Sequence, residues 1–166
     1  VGGGHGVLVV ALLHRHGAMH GTVYDLPHAA VGANAALEAA QLADRATFVA
    51  GDFFASVPAG GDAYLLKSVL HDWPDAECAR ILTSCRAAMD DDTRLLVVER
   101  LANLPLTTSS NDRAWARSDL NMLVAHGACE RTESMFGALL LEAGFGIDNV
   151  RALSMGLACI EAHPLP

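Results

Sequence analysis

Val1-Gly-Gly-Gly-His-Gly-Val-Leu-Val-Val-Ala-Leu-Leu13 opens the sequence, and Gly21-Thr-Val-Tyr-Asp25 follows after a short polar stretch. The order of these pieces decides the fold. A glycine turn, then an apolar stretch fit for a largely buried helix, then a short strand closed by an acid make up most of a strand–helix–strand step. A glycine turn of this kind needs a strand to feed it. None precedes Val1, and there is no initiator Met or signal peptide, so the sequence reads as the carboxyl-terminal part of a longer protein.

The alternation continues outward from there. Pro27 suits a first helical turn, where its missing N–H costs nothing, and the alanine-rich residues extend that helix to about Leu42. Thr47-Phe-Val49 is a strand ending at Gly51-Asp52, Pro58–Gly61 a turn, and Ala63–Leu66 a strand running into His71. Cys78, Ile81, Leu82, Cys85 and Met89 fall on one face of a helix that Asp72, Pro74 and Asp75 start and Asp90-Asp-Asp92 stops. Arg94–Glu99 has the composition of a buried strand, residues 102–112 of a polar loop, and Asp119–Ala125 and Met135–Ala143 of helices. Strand-like stretches near 147–153 and 155–162 finish the chain. This pattern predicts an α/β fold, a mostly parallel sheet with helices on both faces, formed by one domain over residues 1–166.

Composition narrows the function. With 166 residues and 52% hydrophobic positions the chain can bury a core, and its formal charge of −8 argues against a nucleic-acid partner. No apolar run approaches the roughly 18–20 residues that span a bilayer, so no membrane role is expected. Cys78, Cys85, Cys129 and Cys159 form no CxxC pair and read as small buried hydrophobes in a reducing, cytoplasmic compartment. His14, His16 and His20 lack the accompanying carboxylates of a metal site, and no metal is expected.

In open α/β sheets ligands bind beyond the carboxyl ends of the strands. Those ends carry Gly2–Gly6, Asp25, Asp52, His71 and Glu99 in succession, which marks one rim as a site. The glycines stand at relative positions one, three and five, whereas a dinucleotide fingerprint puts its third glycine where Val7 stands. Nicotinamide chemistry is therefore disfavoured, although Asp25 lies about where an acid holds ribose hydroxyls.

Val1-Gly-Gly-Gly-His-Gly, Tyr24-Asp-Leu-Pro-His, Gly51-Asp-Phe-Phe, Leu65-Leu-Lys-Ser-Val-Leu-His-Asp-Trp, Leu96-Val-Val-Glu and Glu130-Arg-Thr occur in this order. Together they resemble the S-adenosylmethionine-dependent O-methyltransferases of the plant caffeate/flavonoid type and their bacterial relatives in antibiotic biosynthesis. The resemblance runs through essentially the whole chain. It implies a class I methyltransferase Rossmann-like fold, with a seven-stranded sheet whose last strand is antiparallel. It also implies a homodimer formed through an upstream helical domain. Carried over residue by residue, it places Gly2 and Gly4 beside the methionine part of S-adenosylmethionine, Asp25 on the ribose, Leu26 on the adenine, and Asp52 with Phe53 along the adenine edge. It puts Lys67 near the cofactor and Trp73 over it, although Trp73 is equally suited to packing a helix on the sheet.

The implied chemistry is methyl transfer to a hydroxyl of a small aromatic molecule, leaving S-adenosylhomocysteine. A phenol ionises near pH ~10 and an imidazole near ~6.5, so a histidine is a natural base. His71 is that base, and the resemblance places Glu99 and Glu130 on either side of it. Asp72 reads as a helix cap and is not counted among the catalytic groups. Asn121 and Met122 are implied to line the acceptor pocket. Gly127-Ala-Cys129 departs from the Gly-Gly-Arg or Gly-Gly-Lys usual before Glu-Arg-Thr, which shifts the expected acceptor from a plant phenylpropanoid toward a bacterial polyketide-like aromatic. Rival readings are a relative that keeps the cofactor but hydroxylates or decarboxylates, and a non-catalytic assembly module.

Overall fold

The computed structural model describes residues 1–102 and 105–166. They form two compact units, Val1–Pro58 and Ala59–Pro166.

In the first unit, residues 1–6 form no strand. Gly2, Gly4 and Gly6 all take left-handed backbone angles, with φ of 64°, 54° and 75°, so the segment is a turn that leads straight into helix α1, Val7–Arg15. Strand β1, Gly21–Asp25, pairs in parallel with β2, Ala46–Ala50, in the register Gly21↔Ala46 to Asp25↔Ala50. Between them a 3₁₀ turn over Pro27–Ala29 runs into helix α2, Ala30–Ala39. The helix stops short of the expected Leu42 because Gln41 adopts φ 56°, which turns the chain and lets Leu42 join Leu13, Leu37 and Ala46 in a buried cluster. The Arg45 guanidinium donates to the Leu13 carbonyl, which the end of α1 leaves without a helical partner, and to the carbonyls of Gly17 and Met19 in the loop beyond.

The second unit carries β3 (Ala63–Lys67), α3 (Asp75–Ala87), β4 (Arg94–Ala102), α4 (Ser110–His126), β5 (Arg131–Thr132), α5 (Glu133–Glu142), β6 (Phe145–Ala152) and β7 (Leu157–Pro164). Its sheet runs β3-β4-β7-β6, with β5 paired to the end of β4. β3 and β4 are parallel, and β7 is antiparallel to both of its neighbours, as expected for the last strand. Every second residue of β7 is buried, Ala158, Ile160 and Ala162 among them. The predicted face of α3 is the buried one: Cys78, Ile81, Leu82 and Cys85 are each 0% exposed.

Several details differ from the sequence reading. The seven strands among the described residues fall into a two-stranded and a five-stranded sheet. The seventh is β5, only two residues long and too short to leave a periodic signal. Helix α4 begins at Ser110, not near Asp119, because the Ser109 hydroxyl accepts from the Asp112 N–H and caps it. Of the polar loop expected over 102–112, residues 103 and 104 lie outside the described residues, and Ala102 closes β4. β3 ends at Lys67, since Ser68 takes φ 52° and breaks the extended run. His71 consequently lies beyond the strand, in a single 3₁₀ turn over Leu70–Asp72.

Candidate active site

In the first unit, the site grows from the end of β1. One oxygen of the Asp25 carboxylate accepts the Gly4 N–H at 2.7 Å, and the other accepts the Leu26 N–H at 2.7 Å. A further bond from the Gly3 N–H to the Tyr24 carbonyl, 3.1 Å, ties the glycine turn to the strand. A side chain at Gly6 is strained twice: besides its φ of 75°, a Cβ there would lie 2.9 Å from a Val23 methyl. Gly4 is left-handed too, but a Cβ would meet nothing within 4 Å, so the turn presents bare backbone beside open space. Each Asp25 oxygen keeps a lone pair after its one backbone bond, and Leu26 beside it is exposed. At the end of β2, Asp52 accepts the Phe54 N–H at 2.8 Å and remains exposed, while the Phe53 ring stands edge-on to Phe54 with centroids 4.9 Å apart. Gly2, Gly4, Asp25, Leu26, Asp52 and Phe53 thus cap the carboxyl ends of two adjacent parallel strands.

In the second unit the centre is His71, whose side chain is 17% exposed. Its Nδ1 lies 3.3 Å from Glu130 Oε1 and 4.0 Å from Glu99 Oε2, so both carboxylates address one ring nitrogen and do not flank the ring as expected. Only Glu130 is within hydrogen-bonding distance. Glu99 uses its other oxygen to accept the N–H groups of Val69 and Leu70, each at 2.9 Å. On the opposite side of the ring, Nε2 faces Asp72 Oδ1 at 3.5 Å, and the same oxygen lies 3.7 Å from His126 Nε2. Asp72 therefore belongs to the histidine cluster; α3 is capped by Pro74 and receives no side-chain bond from it.

Electrostatics follow from these contacts. The bond to Glu130 raises the His71 pKa above 6.5; burial opposes this, and the charges of Glu99, Glu130 and Asp72 reinforce it. Burial pushes Glu99 above the usual carboxylate range despite its backbone donors and the nearby imidazole. Burial pulls Glu130 upward as well, but bonds from His71 and Ser118 and the charges of His71 and Arg100 outweigh it and leave this carboxyl below its ordinary value. Cys78 and Cys85 are pushed up to about 12 by burial, which fits the reading of both as core.

Besides His126, three partners of the cluster are not legible in the sequence. Ser118 donates to Glu130 Oε1 at 2.6 Å, Asp119 accepts the Glu130 N–H at 2.9 Å, and Arg131 binds the turn that carries His71. Arg131 stood inside the quoted Glu-Arg-Thr motif, and its signal was a charged residue next to a catalytic candidate. Ser118 and Asp119 are eleven or more residues from Glu130 and follow no local pattern. Lys67 ends β3 exposed, with Nζ 3.4 Å from the Ser68 hydroxyl. Trp73 is half-buried and its carbonyl accepts from Arg131 and Cys78. Asn121 is exposed and Met122 half-buried on α4. Among the described residues no group of three or more His, Cys, Asp or Glu side chains could hold a metal ion, and no helix is long and apolar enough to cross a membrane.

Parallel strands capped by a glycine turn and an acid, with an antiparallel final strand and flanking helices, define the class I methyltransferase Rossmann-like fold. A family model described as O-methyltransferase domain matches residues 1–146, and the chain belongs to that family. It is 45% identical over 168 residues to the O-demethylpuromycin-O-methyltransferase of Streptomyces alboniger, covering 99% of this chain and 44% of the relative. It is 40% identical over 165 residues to a phenazine O-methyltransferase of Lysobacter antibioticus, covering 99% and 47%. An O-methyltransferase from neocarzinostatin biosynthesis, solved with S-adenosylmethionine and 2-hydroxy-5-methyl naphthoic acid, superposes with a TM-score of 0.89 at 35% identity, covering 99% of this chain and 47% of that one. The chain thus spans a little under half the length of these relatives.

Proposed function

We propose that the chain is the methyltransferase domain of an enzyme that transfers a methyl group from S-adenosylmethionine to a hydroxyl of an aromatic small molecule, a bacterial secondary metabolite, with His71 as general base. The observation that carries this reading is the fixed imidazole: Nδ1 is bound by Glu130, which Ser118 and Asp119 hold in turn. With its Nδ1 proton committed to Glu130, a neutral His71 offers the Nε2 lone pair to an acceptor hydroxyl. As that proton arrives, the carboxylate of Glu130 stabilises the imidazolium, and Glu99 and Asp72 add negative charge from nearby.

The donor set of the first unit fits the nucleoside. Asp25 retains acceptor capacity toward ribose hydroxyls, Leu26 offers exposed hydrocarbon and Phe53 an aromatic ring to adenine, Asp52 an acceptor at its edge, and the open backbone at Gly4, with Gly2 beside it by the resemblance, accommodates the methionine portion. The resemblance alone assigns Lys67 and Trp73 to the cofactor. S-adenosylmethionine supplies, when bound, a methyl carbon activated by a positive sulfur. The protein's share is to hold the acceptor in line, worth up to about 7–11 kcal/mol in favourable cases, and to accept its proton, worth about 10²–10⁴ in rate. Asn121 and Met122 are assigned to the acceptor side, the exposed Asn121 being able to hydrogen-bond a polar substituent. The names of the relatives support an antibiotic-type aromatic acceptor. A homodimer and a cytoplasmic location belong to the same reading, the latter supported by four free thiols among the described residues.

Calorimetry of the full chain with S-adenosylmethionine and with NAD, followed by methyl-label transfer to a panel of phenols, tests the proposal. The expected result is binding of the sulfonium nucleoside, labelled product, and loss of transfer in His71→Ala with nucleoside affinity retained. Tight NAD binding without sulfonium binding would refute it.

A further inference from the structure

Arg131 is among the most deeply buried large side chains, 0% exposed, yet its one acidic partner among the described residues, Asp75, is 65% exposed. An internal ion pair explains little of this arrangement, because burying a guanidinium is costly unless its donors are used. They are used. Nη1 donates to the Leu70 carbonyl at 2.8 Å and Nη2 to the Trp73 carbonyl at 2.7 Å, while Nε and Nη2 meet Asp75 Oδ1 at 2.9 and 2.7 Å. Leu70 and Trp73 bracket His71. The turn's own bonds, Asp72 N–H to Val69 O and Trp73 N–H to Leu70 O, are both 3.2 Å long, and the Cys78 thiol adds weak donation to the Leu70 and Trp73 carbonyls at 3.1 and 3.3 Å. A single turn is inherently weak.

We infer that Arg131 is a positioning residue, which together with Glu99 clamps the His71 turn at its two ends. Glu99 accepts the N–H groups of Val69 and Leu70 at the leading end, and Arg131 binds the carbonyls of Leu70 and Trp73 toward the trailing end. Anion at the amino end and cation at the carboxyl end is also the favourable arrangement for the turn's dipole. Pairing of β5 with β4 in the register Leu101↔Arg131 fixes both halves of the clamp on neighbouring strands, with Glu130 next to Arg131 to meet the ring itself. Only a planar fork reaches two carbonyls and a carboxylate together; a lysine offers a point charge. The catalytic meaning of the clamp rests on the reading of His71 as base, but the clamp itself can be tested without it.

Amide hydrogen exchange on the full chain, in wild type and in Arg131→Met, Arg131→Lys and Asp75→Asn, provides the test. In Arg131→Met, exchange at Val69, Leu70, Asp72 and Trp73 should rise about tenfold or more while α3 and the centre of β4 keep their protection. Arg131→Lys should restore part of it, and Asp75→Asn should produce a smaller rise at the same amides. If Arg131→Met does not fold, the same localised rise in Arg131→Lys decides the matter. Unchanged exchange at residues 69–73, or a rise spread evenly over α3 and β4, would overturn the proposal and leave Arg131 as core filling. Full methyl transfer by His71→Ala would refute the base reading and leave the exchange result standing.

Discussion

At the scale of single residues, the proposed role of His71 as base makes the pair His71–Glu130 the expected source of pH dependence. A base must be neutral to act, and His71 is held above 6.5 by the bond to Glu130 first and by neighbouring charge after it. The acid limb of kcat/KM should therefore lie above pH 6.5 and move down in Glu130→Gln, with a lower plateau rate because the imidazolium loses its counter-charge. A pH–rate profile of the two proteins checks both. The sign for stability differs between the partners. The raised imidazole stabilises the fold fully below its unfolded value near 6.5 and ceases to do so as pH rises through its folded value. The lowered Glu130 carboxyl contributes fully above its unfolded value of 4.5 and ceases to do so as pH falls. Urea unfolding should accordingly show the largest gap between wild type and Glu130→Gln between about pH 4.5 and 6.5. Ser118→Ala removes the 2.6 Å donor to Glu130, and its expected cost is about 0.5–1.5 kcal/mol in unfolding free energy with a several-fold loss of rate.

At the scale of elements, legibility followed periodicity. The α3 face and the alternation in β7 could be read because several residues repeat one environment at a fixed spacing. The turn carrying His71 could not: it depends on the left-handed Ser68 and on bonds from Glu99 and Arg131, some thirty and sixty residues away. The same distance hid Ser118 and Asp119. Glu99 serves both sides: one oxygen accepts the amides of Val69 and Leu70, and the other lies 4.0 Å from His71 Nδ1. The glycine turn shows the opposite case, since its spacing and the position of Asp25 were both visible and their contact is direct. Gly6→Ala must bear the left-handed backbone, about 1–2 kcal/mol, and overlap with Val23 besides. Gly4→Ala bears only the first. Thermal unfolding should rank Gly6→Ala below Gly4→Ala, and calorimetry should show weaker S-adenosylmethionine binding in both. In α3, Ile81→Ala empties a fully buried position and should cost about 2–5 kcal/mol by urea unfolding.

At the scale of the whole molecule, the six ordered motifs carry the family resemblance and hold most of the residues of the two candidate clusters. Three of them lie where a strand gives way to the turn after it, at Tyr24-Asp25, Gly51-Asp52 and Leu65–Trp73, whereas Leu96–Glu99 lies inside β4 and Glu130-Arg-Thr runs into β5. Their contacts are Gly4 with Asp25, Asp52 with Phe54 and His71 with Glu130. What the motifs leave unread is the support of the site, above all the part played by the fully buried Arg131 within one of them. The central claim is that the imidazole of His71 takes the proton of the acceptor hydroxyl. Its most direct test is the rate of methyl transfer by wild type and His71→Ala on two phenols of unlike acidity. A base is needed more by the weakly acidic phenol, so the substitution should slow that acceptor by about 10²–10⁴ and the acidic one by clearly less. Equal rates in the two proteins on both phenols would contradict the account.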